Sequence, residues 1–138
     1  MDEILPGLYL GSMEDAAKAP PEVIRICVLE MCSPYHADRP GTIHIPILRN
    51  EGGEVRADLG QLDLAMTVIH GLVAIGEEVL VHCGAGVERS PLTMAWYLFN
   101  TGVLPTMDAA YEYVIKRRPS AQRRDAMWLP TEPPTGVT

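Results

Sequence analysis

Cys83 stands six residues before Arg89, with His82 in front, Ser90 behind and glycines at 84 and 86 between them. A thiolate is a strong nucleophile, and a guanidinium can grip two oxygens of one phosphate at once. Glycine lets the backbone turn so tightly that successive N–H groups can point at one centre, an anion nest. The spacing therefore combines a nucleophile with an anion cradle. The other reading of such a residue, a buried thiol in a glycine turn, suits Cys27, which sits between Ile26 and Val28 in an apolar run.

The flanking sequence says how the loop is held. Glu77–His82 has a short continuous apolar centre, as in an interior strand. Pro91 favours the first turn of a helix, whose inner face would carry Leu92, Ala95, Trp96 and Phe99 and which Gly102 would end. A strand running into a helix N-terminus aims the positive end of the helix at the loop between them, favouring a bound anion and a thiolate together. Upstream, Pro6-Gly7 splits Ile4–Leu10 into two short strands, and Ser12 with Asp15 reads as the cap of a helix that stops before Pro20-Pro21. Val23–Leu29 and Thr42–Ile47 read as strands, followed by a loop with Gly52-Gly53. The apolar stripe Leu59, Leu62, Met66, Ile69 and Val73 predicts a helix, and another runs from Thr106 until Pro119 halts it after Arg118. Strands alternating with helices give an α/β fold, a central mainly parallel sheet flanked by helices, as one compact domain over 1–129 with a flexible tail over 130–138.

Composition narrows the function classes. At 138 residues the chain holds one core, with 47% hydrophobic residues and mean hydropathy near zero. Apolar runs fall short of a membrane span, Met1-Asp2-Glu3 lacks a signal-peptide layout, and three cysteines form neither a disulfide framework nor a metal spacing. A cytoplasmic monomer with no membrane partner, no metal and no cofactor is the expectation. The net charge of −7 argues against nucleic acid as a partner. Five of the eleven Lys and Arg residues nonetheless fall between Lys116 and Arg124. They read as a solvated helix end or as a basic rim for an anionic substrate.

His82-Cys83-x5-Arg89-Ser90 resembles the signature of the protein tyrosine phosphatase superfamily, and other segments resemble its dual-specificity branch. Ile4–Ser12 is similar to the opening of those domains, His44–Ile47 to the strand before their general-acid loop, and Ala110–Pro119 to their penultimate helix. The resemblance implies a phosphatase acting on phosphotyrosine and on phosphoserine or phosphothreonine, in a phosphorylated protein or a small phosphomonoester. Cys83 would attack phosphorus and carry a thiophosphate intermediate. Arg89 and the N–H groups of Gly84, Ala85, Gly86, Val87, Glu88 and Arg89 would bind the oxygens. Ser90 would help the thiolate leave, and His82 would orient the loop. Some relatives keep a cysteine near the catalytic one, which makes Cys32 a possible redox partner.

The sequence departs from that pattern in two places that bear on substrate. Where the family has an aspartate after the Ile-Pro strand, this chain has Leu48-Arg49-Asn50-Glu51-Gly52-Gly53-Glu54 and no aspartate before Asp58. Glu51 is the leading candidate for the general acid, with Glu54 and Asp58 as rivals. Glu88 places an acidic side chain at the mouth of the loop, which disfavours heavily charged substrates. Three other readings stay open. A phosphate-binding pseudophosphatase is motivated by the missing aspartate. A rhodanese-type sulfurtransferase would use a loop one residue shorter. Low-molecular-weight phosphatases and arsenate reductases place their motif near the N-terminus.

Overall fold

The structure is a computed structural model that describes residues 1–31 and 40–130. Gly7, at φ +79°, turns the chain between β1 (Asp2–Leu5) and β2 (Leu8–Gly11). The two strands pair antiparallel, as the Pro6-Gly7 turn predicts. Ser12 then caps α1 (Met13–Lys18) through a reciprocal capping box with Asp15. Next come β3 (Ile24–Cys27) and β4 (Thr42–His44). The expected strand to Ile47 ends early because Pro46 has no N–H to extend the ladder, although Ile45 N–H still reaches Cys27 O at 2.9 Å.

The expected loop after Ile47 is instead a hairpin, β5 (Leu48–Glu51) and β6 (Glu54–Ala57). Gly52 and Gly53 both lie at positive φ, as a tight two-residue turn of this kind requires. Asp58 caps α2 (Leu59–Ala74), accepting from Gln61 N–H. Beyond it lie β7 (Val79–His82), α3 (Arg89–Asn100), α4 (Met107–Arg117) and the single turn α5 (Asp125–Trp128).

The sheet runs β1-β2-β7-β3-β4, parallel except for β1. β7 lies between β2 and β3 and is buried on both faces, which is why its sequence is a continuous apolar run. Alternation along it sends Val79 and Val81 to the large core beneath α2, α3 and α4, and Leu80 to a small cluster beneath α1. Helices thus cover both faces. α2 buries Leu62 and Ile69 of the stripe read from sequence, with Ala65 beside them, whereas Met66 and Val73 are half-buried and Leu59 is exposed. α3 departs further from expectation. Met94, Tyr97 and Leu98 are buried, while Trp96 is only half-buried and Phe99 is 36% exposed. The helix starts at Arg89, so Pro91 is its third residue, where its missing N–H still costs no hydrogen bond.

One buried charge ties α1 to the sheet. Arg25 on β3 is fully buried and donates to the carbonyls of Ala16, Val23 and Ala19 at 2.7, 2.9 and 2.6 Å. A cation at the C-terminal end of a helix suits the helix dipole and satisfies carbonyls left without intrahelical partners. Anchored this way, α1 presents its first residue, Met13, to the loop after β7. Among the described residues no helix is long and apolar enough to cross a membrane. Residues 131–138 of the expected tail, and Cys32, lie outside the described residues.

Candidate active site

The loop leaves the carboxyl end of β7, the edge of a parallel sheet where ligands of α/β folds gather. Its shape can be read from where its carbonyls go. Gly84 O accepts from Met13 N–H at 2.8 Å, and Val87 O from Gln122 N–H at 2.7 Å. Ala85 O and Gly86 O accept from the Arg118 guanidinium at 3.1 and 2.8 Å. Glu88 O begins the α3 ladder with Leu92 N–H at 3.2 Å, and Cys83 O lies 3.3 Å from His82 Nδ1. All peptides here are trans. In a trans peptide the N–H of the next residue points opposite to the carbonyl. Four carbonyls held by other segments, with that of Cys83 beside His82 and that of Glu88 in the α3 ladder, therefore turn the N–H groups of Gly84 to Arg89 the other way. None of these six donors has an acceptor among the described residues.

Gly86 shows why the turn needs glycine twice over. Its φ is +72°, and a Cβ there would sit 2.5 Å from an Arg118 nitrogen and 2.7 Å from Gly11 O. Gly84 has open space around it.

Cys83 is 2% exposed, and its Sγ lies 3.2 Å from Ser90 Oγ on the first turn of α3. Ser90 Oγ also reaches Gly11 O at 3.4 Å. The Arg89 Nε donates to Glu30 at 2.8 Å, leaving the two terminal nitrogens without a partner among the described residues. Glu88, the acidic side chain read at the mouth of the loop, is paired with Arg124 at 3.1 Å.

The structure thus brings together His82, Cys83, Gly84 through Arg89, and Ser90. It does not bring the three candidate acids into contact with them. Glu51 pairs with Arg49 at 3.0 Å and Glu54 with Arg56 at 2.8 Å, along the two strands of the hairpin. Asp58 is the α2 cap. All three line a separate cleft of about 620 Å³ that contains no residue from 82 to 90.

Sequence reasoning missed five parts of this site: Met13, Glu30, Arg118, Gln122 and Arg124. The basic stretch is also mostly engaged within the protein. Arg118 and Arg124 serve the loop, while Arg123 binds Asp108 and Asp125 at 2.7 and 2.8 Å. Arg117 lies over the Tyr113 ring at 3.4 Å. Only a side chain seen from the loop reveals these roles, because an arginine at a helix C-terminus has an adequate local reason to be there.

The family model described as "Dual specificity phosphatase, catalytic domain" matches residues 8–129. The chain belongs to that family. Among the relatives of this phosphatase domain, human Dual specificity protein phosphatase 12 is 31% identical over 136 residues, covering 91% of this chain and 38% of that protein. Mouse Dual specificity protein phosphatase 2 is 31% identical, covering 84% and 37%. The chain therefore spans under two fifths of the length of these two relatives. The crystal structure of DUSP15 superimposes with a TM-score of 0.71 at 26% identity, over 88% of this chain and 78% of that one. The human tyrosine phosphatase-like serine/threonine/tyrosine-interacting protein has a TM-score of 0.70 at 24% identity, covering 89% and 87%. The second likeness shows the dual-specificity phosphatase fold alone.

Proposed function

We propose that this chain is a cysteine-dependent phosphatase hydrolysing phosphate monoesters, phosphotyrosine and phosphoserine or phosphothreonine, through a thiophosphate on Cys83. The observation that carries the reading is the carbonyl pattern around the loop: six N–H groups and the two terminal nitrogens of Arg89 are left for one anion beside a buried Cys83 Sγ. Preorganised donors of this kind act on charge that develops in the transition state.

In the first step Sγ attacks phosphorus and the P–O bond to the alcohol breaks, the departing oxygen taking a proton. Water then attacks phosphorus, the S–P bond breaks, and inorganic phosphate leaves. The hydroxyl of Ser90 has one proton and two acceptors within reach, Gly11 O and Sγ. Swinging that proton to Sγ stabilises the thiolate released in the second step. The proton for the alcohol is assigned to the segment after Ile47, with Glu51 ahead of Glu54 and Asp58. Asp58 ranks behind because its carboxylate already caps α2.

Turnover of an aryl phosphate with trapping of a cysteine-bound phosphate tests the reading. Cys83→Ser is expected to abolish both while vanadate competes and chelators leave the rate unchanged. Full turnover by Cys83→Ser would overturn it. A second reading, a phosphate-binding domain without turnover, draws on the ion pairs that hold Glu51 and Glu54. Phosphopeptide binding by the wild type with no product formed would establish that one instead.

A further inference from the structure

A short segment after α4 holds the outer side of the loop almost residue by residue. Arg118 binds the carbonyls of Ala85 and Gly86, Gln122 N–H binds that of Val87, and Arg124 binds the side chain of Glu88. We infer that Arg118 is a positioning residue for phosphate: it sets the direction of two loop amides without touching the substrate. The inference rests on the phosphatase reading and deepens it.

The argument starts from peptide planarity. The carbonyl of Ala85 and the N–H of Gly86 belong to one rigid plane, as do the carbonyl of Gly86 and the N–H of Val87. Glycine at 86 leaves both planes soft to rotate, since neither φ nor ψ there is restrained by a side chain. Left alone, the two planes could turn a carbonyl toward the anion and repel it. Arg118 removes that freedom through two hydrogen bonds from separate nitrogens, Nε to Gly86 O at 2.8 Å and a terminal nitrogen to Ala85 O at 3.1 Å.

The guanidinium is itself held. Its other terminal nitrogen donates to Asp2 at 2.8 Å and lies 3.9 Å from Asp15 Oδ2. The side chain is 13% exposed, and contact with the Gly86 backbone is close enough that no larger residue fits there. Lysine could not reproduce this arrangement, because one ammonium lacks the planar fork that addresses two carbonyls and a carboxylate together. Arg118 also differs in kind from Arg89. Arg89 opens α3 and keeps two terminal nitrogens for the anion, whereas every guanidinium nitrogen of Arg118 is engaged within the protein.

The test measures anion affinity separately from turnover. Calorimetric titration of orthovanadate and of inorganic phosphate into the folded protein is set beside kcat and KM on an aryl phosphate, with unfolding followed by circular dichroism. Arg118→Met keeps the aliphatic stem and loses the donors. It is expected to weaken both anions roughly 10- to 100-fold per folded molecule, the scale of two lost hydrogen bonds from a charged group. Arg118→Lys is expected to fall between it and the wild type, and Asp2→Asn to move affinity in the same direction by less. A role in stability alone would lower the melting temperature and leave the affinity of the folded fraction unchanged. That result, or wild-type anion affinity in Arg118→Met, overturns the inference. If Arg118→Met does not fold, Arg118→Lys decides by the same measure, and failure of both to fold shows that the residue serves the core and not the loop. Wild-type protein that binds neither anion would refute the phosphatase reading itself, which keeps the two failures distinct.

Discussion

Replacing Arg124 with Gln isolates the least expected charge in the site. Glu88 precedes Arg89 in the loop, and its carboxylate is balanced by Arg124 Nε at 3.1 Å. Both side chains are about one-third exposed, so solvent screens them and the pair belongs to the ~0.2–1 kcal/mol class. Removing the cation leaves an unbalanced negative charge on the residue next to Arg89, where it repels an incoming phosphate dianion. Doubling the pair figure for two substrate charges gives roughly 0.4–2 kcal/mol, or about 2- to 30-fold in KM. The rate once substrate is bound should change less, because the repulsion acts on both the bound state and the transition state. The assay is steady-state turnover of an aryl phosphate in Arg124→Gln, Glu88→Gln and the double variant, each at about 10 mM and 1 M salt. The Debye length shrinks about tenfold between those conditions, from ~30 to ~3 Å, so a charge effect should fade. Arg124→Gln is expected to raise KM at low salt, and adding Glu88→Gln should restore it. A rise that survives high salt, or that Glu88→Gln does not reverse, refutes the charge argument and makes Arg124 a steric support.

Arg89→Lys is expected to lower both affinity and rate, since charge without the planar fork cannot hold two oxygens; wild-type kinetics would make the arginine structural. Glu30→Ala should do the same more weakly by freeing Arg89 to swing, and unchanged kinetics would deny Glu30 that role. Among Glu51→Gln, Glu54→Gln and Asp58→Asn, the first should slow an alkyl phosphate by ~10²–10⁴-fold while sparing an activated aryl one; a selective loss in either of the others moves the role there. Hydrogen bonding to Arg123 lowers the Asp125 carboxyl pKa, outweighing the upward push of burial. A depressed folded-state pKa stabilises above the unfolded value of about 3.9 and is lost as pH falls through the folded one. Asp125→Asn should therefore lower stability to urea at pH 7 and much less near pH 2, and an equal loss at both would deny the linkage.

The parts legible in sequence were those written in local chemistry. Cys83, the two glycines, Arg89 and the helix behind them announce a loop by spacing alone, and Ser12, Thr106 and Gly102 mark helix ends through caps that act within three residues. The misreadings share one cause, that tertiary packing overrides a local rule. Trp96 and Phe99 fit an amphipathic stripe, yet α3 is wrapped by sheet, α2 and α4, so burial extends around the helix to Met94, Tyr97 and Leu98. The Trp96 indole instead turns outward to Asp63 at 3.0 Å. The segment after Ile47 carries Arg49, Glu51, Glu54 and Arg56, polar enough to read as loop, but two adjacent glycines close it into a hairpin. Arg25 and Arg118 were invisible as anchors for a related reason. Nothing near either in sequence distinguishes a buried arginine that binds carbonyls from one in solvent.

The two halves of the proposed chemistry are built to different degrees of constraint, and that difference bears on substrate. The anion cradle is fixed from four directions, by β7, α1, the segment after α4 and the α3 N-terminus. The hairpin is closed mainly on itself. Its register sets Arg49 opposite Arg56 and Glu51 opposite Glu54, like charge against like, which costs stability unless opposite charges offset it. The along-strand pairs Arg49–Glu51 and Arg56–Glu54 supply that offset. Both pairs are solvent-exposed, so opening one costs only ~0.2–1 kcal/mol. General-acid catalysis contributes roughly 3–5 kcal/mol, so the ion pair is no obstacle to Glu51 acting as the donor. Reach decides the matter. A phenol, with a pKa near 10, leaves with modest help, whereas the alkoxide of serine or threonine is far more basic and needs the proton. On the proposed reading the cradle by itself would therefore serve phosphotyrosine better than a phosphorylated alcohol. On the same reading, turnover of phosphoserine and phosphothreonine would depend on the hairpin bringing a carboxyl to the departing oxygen.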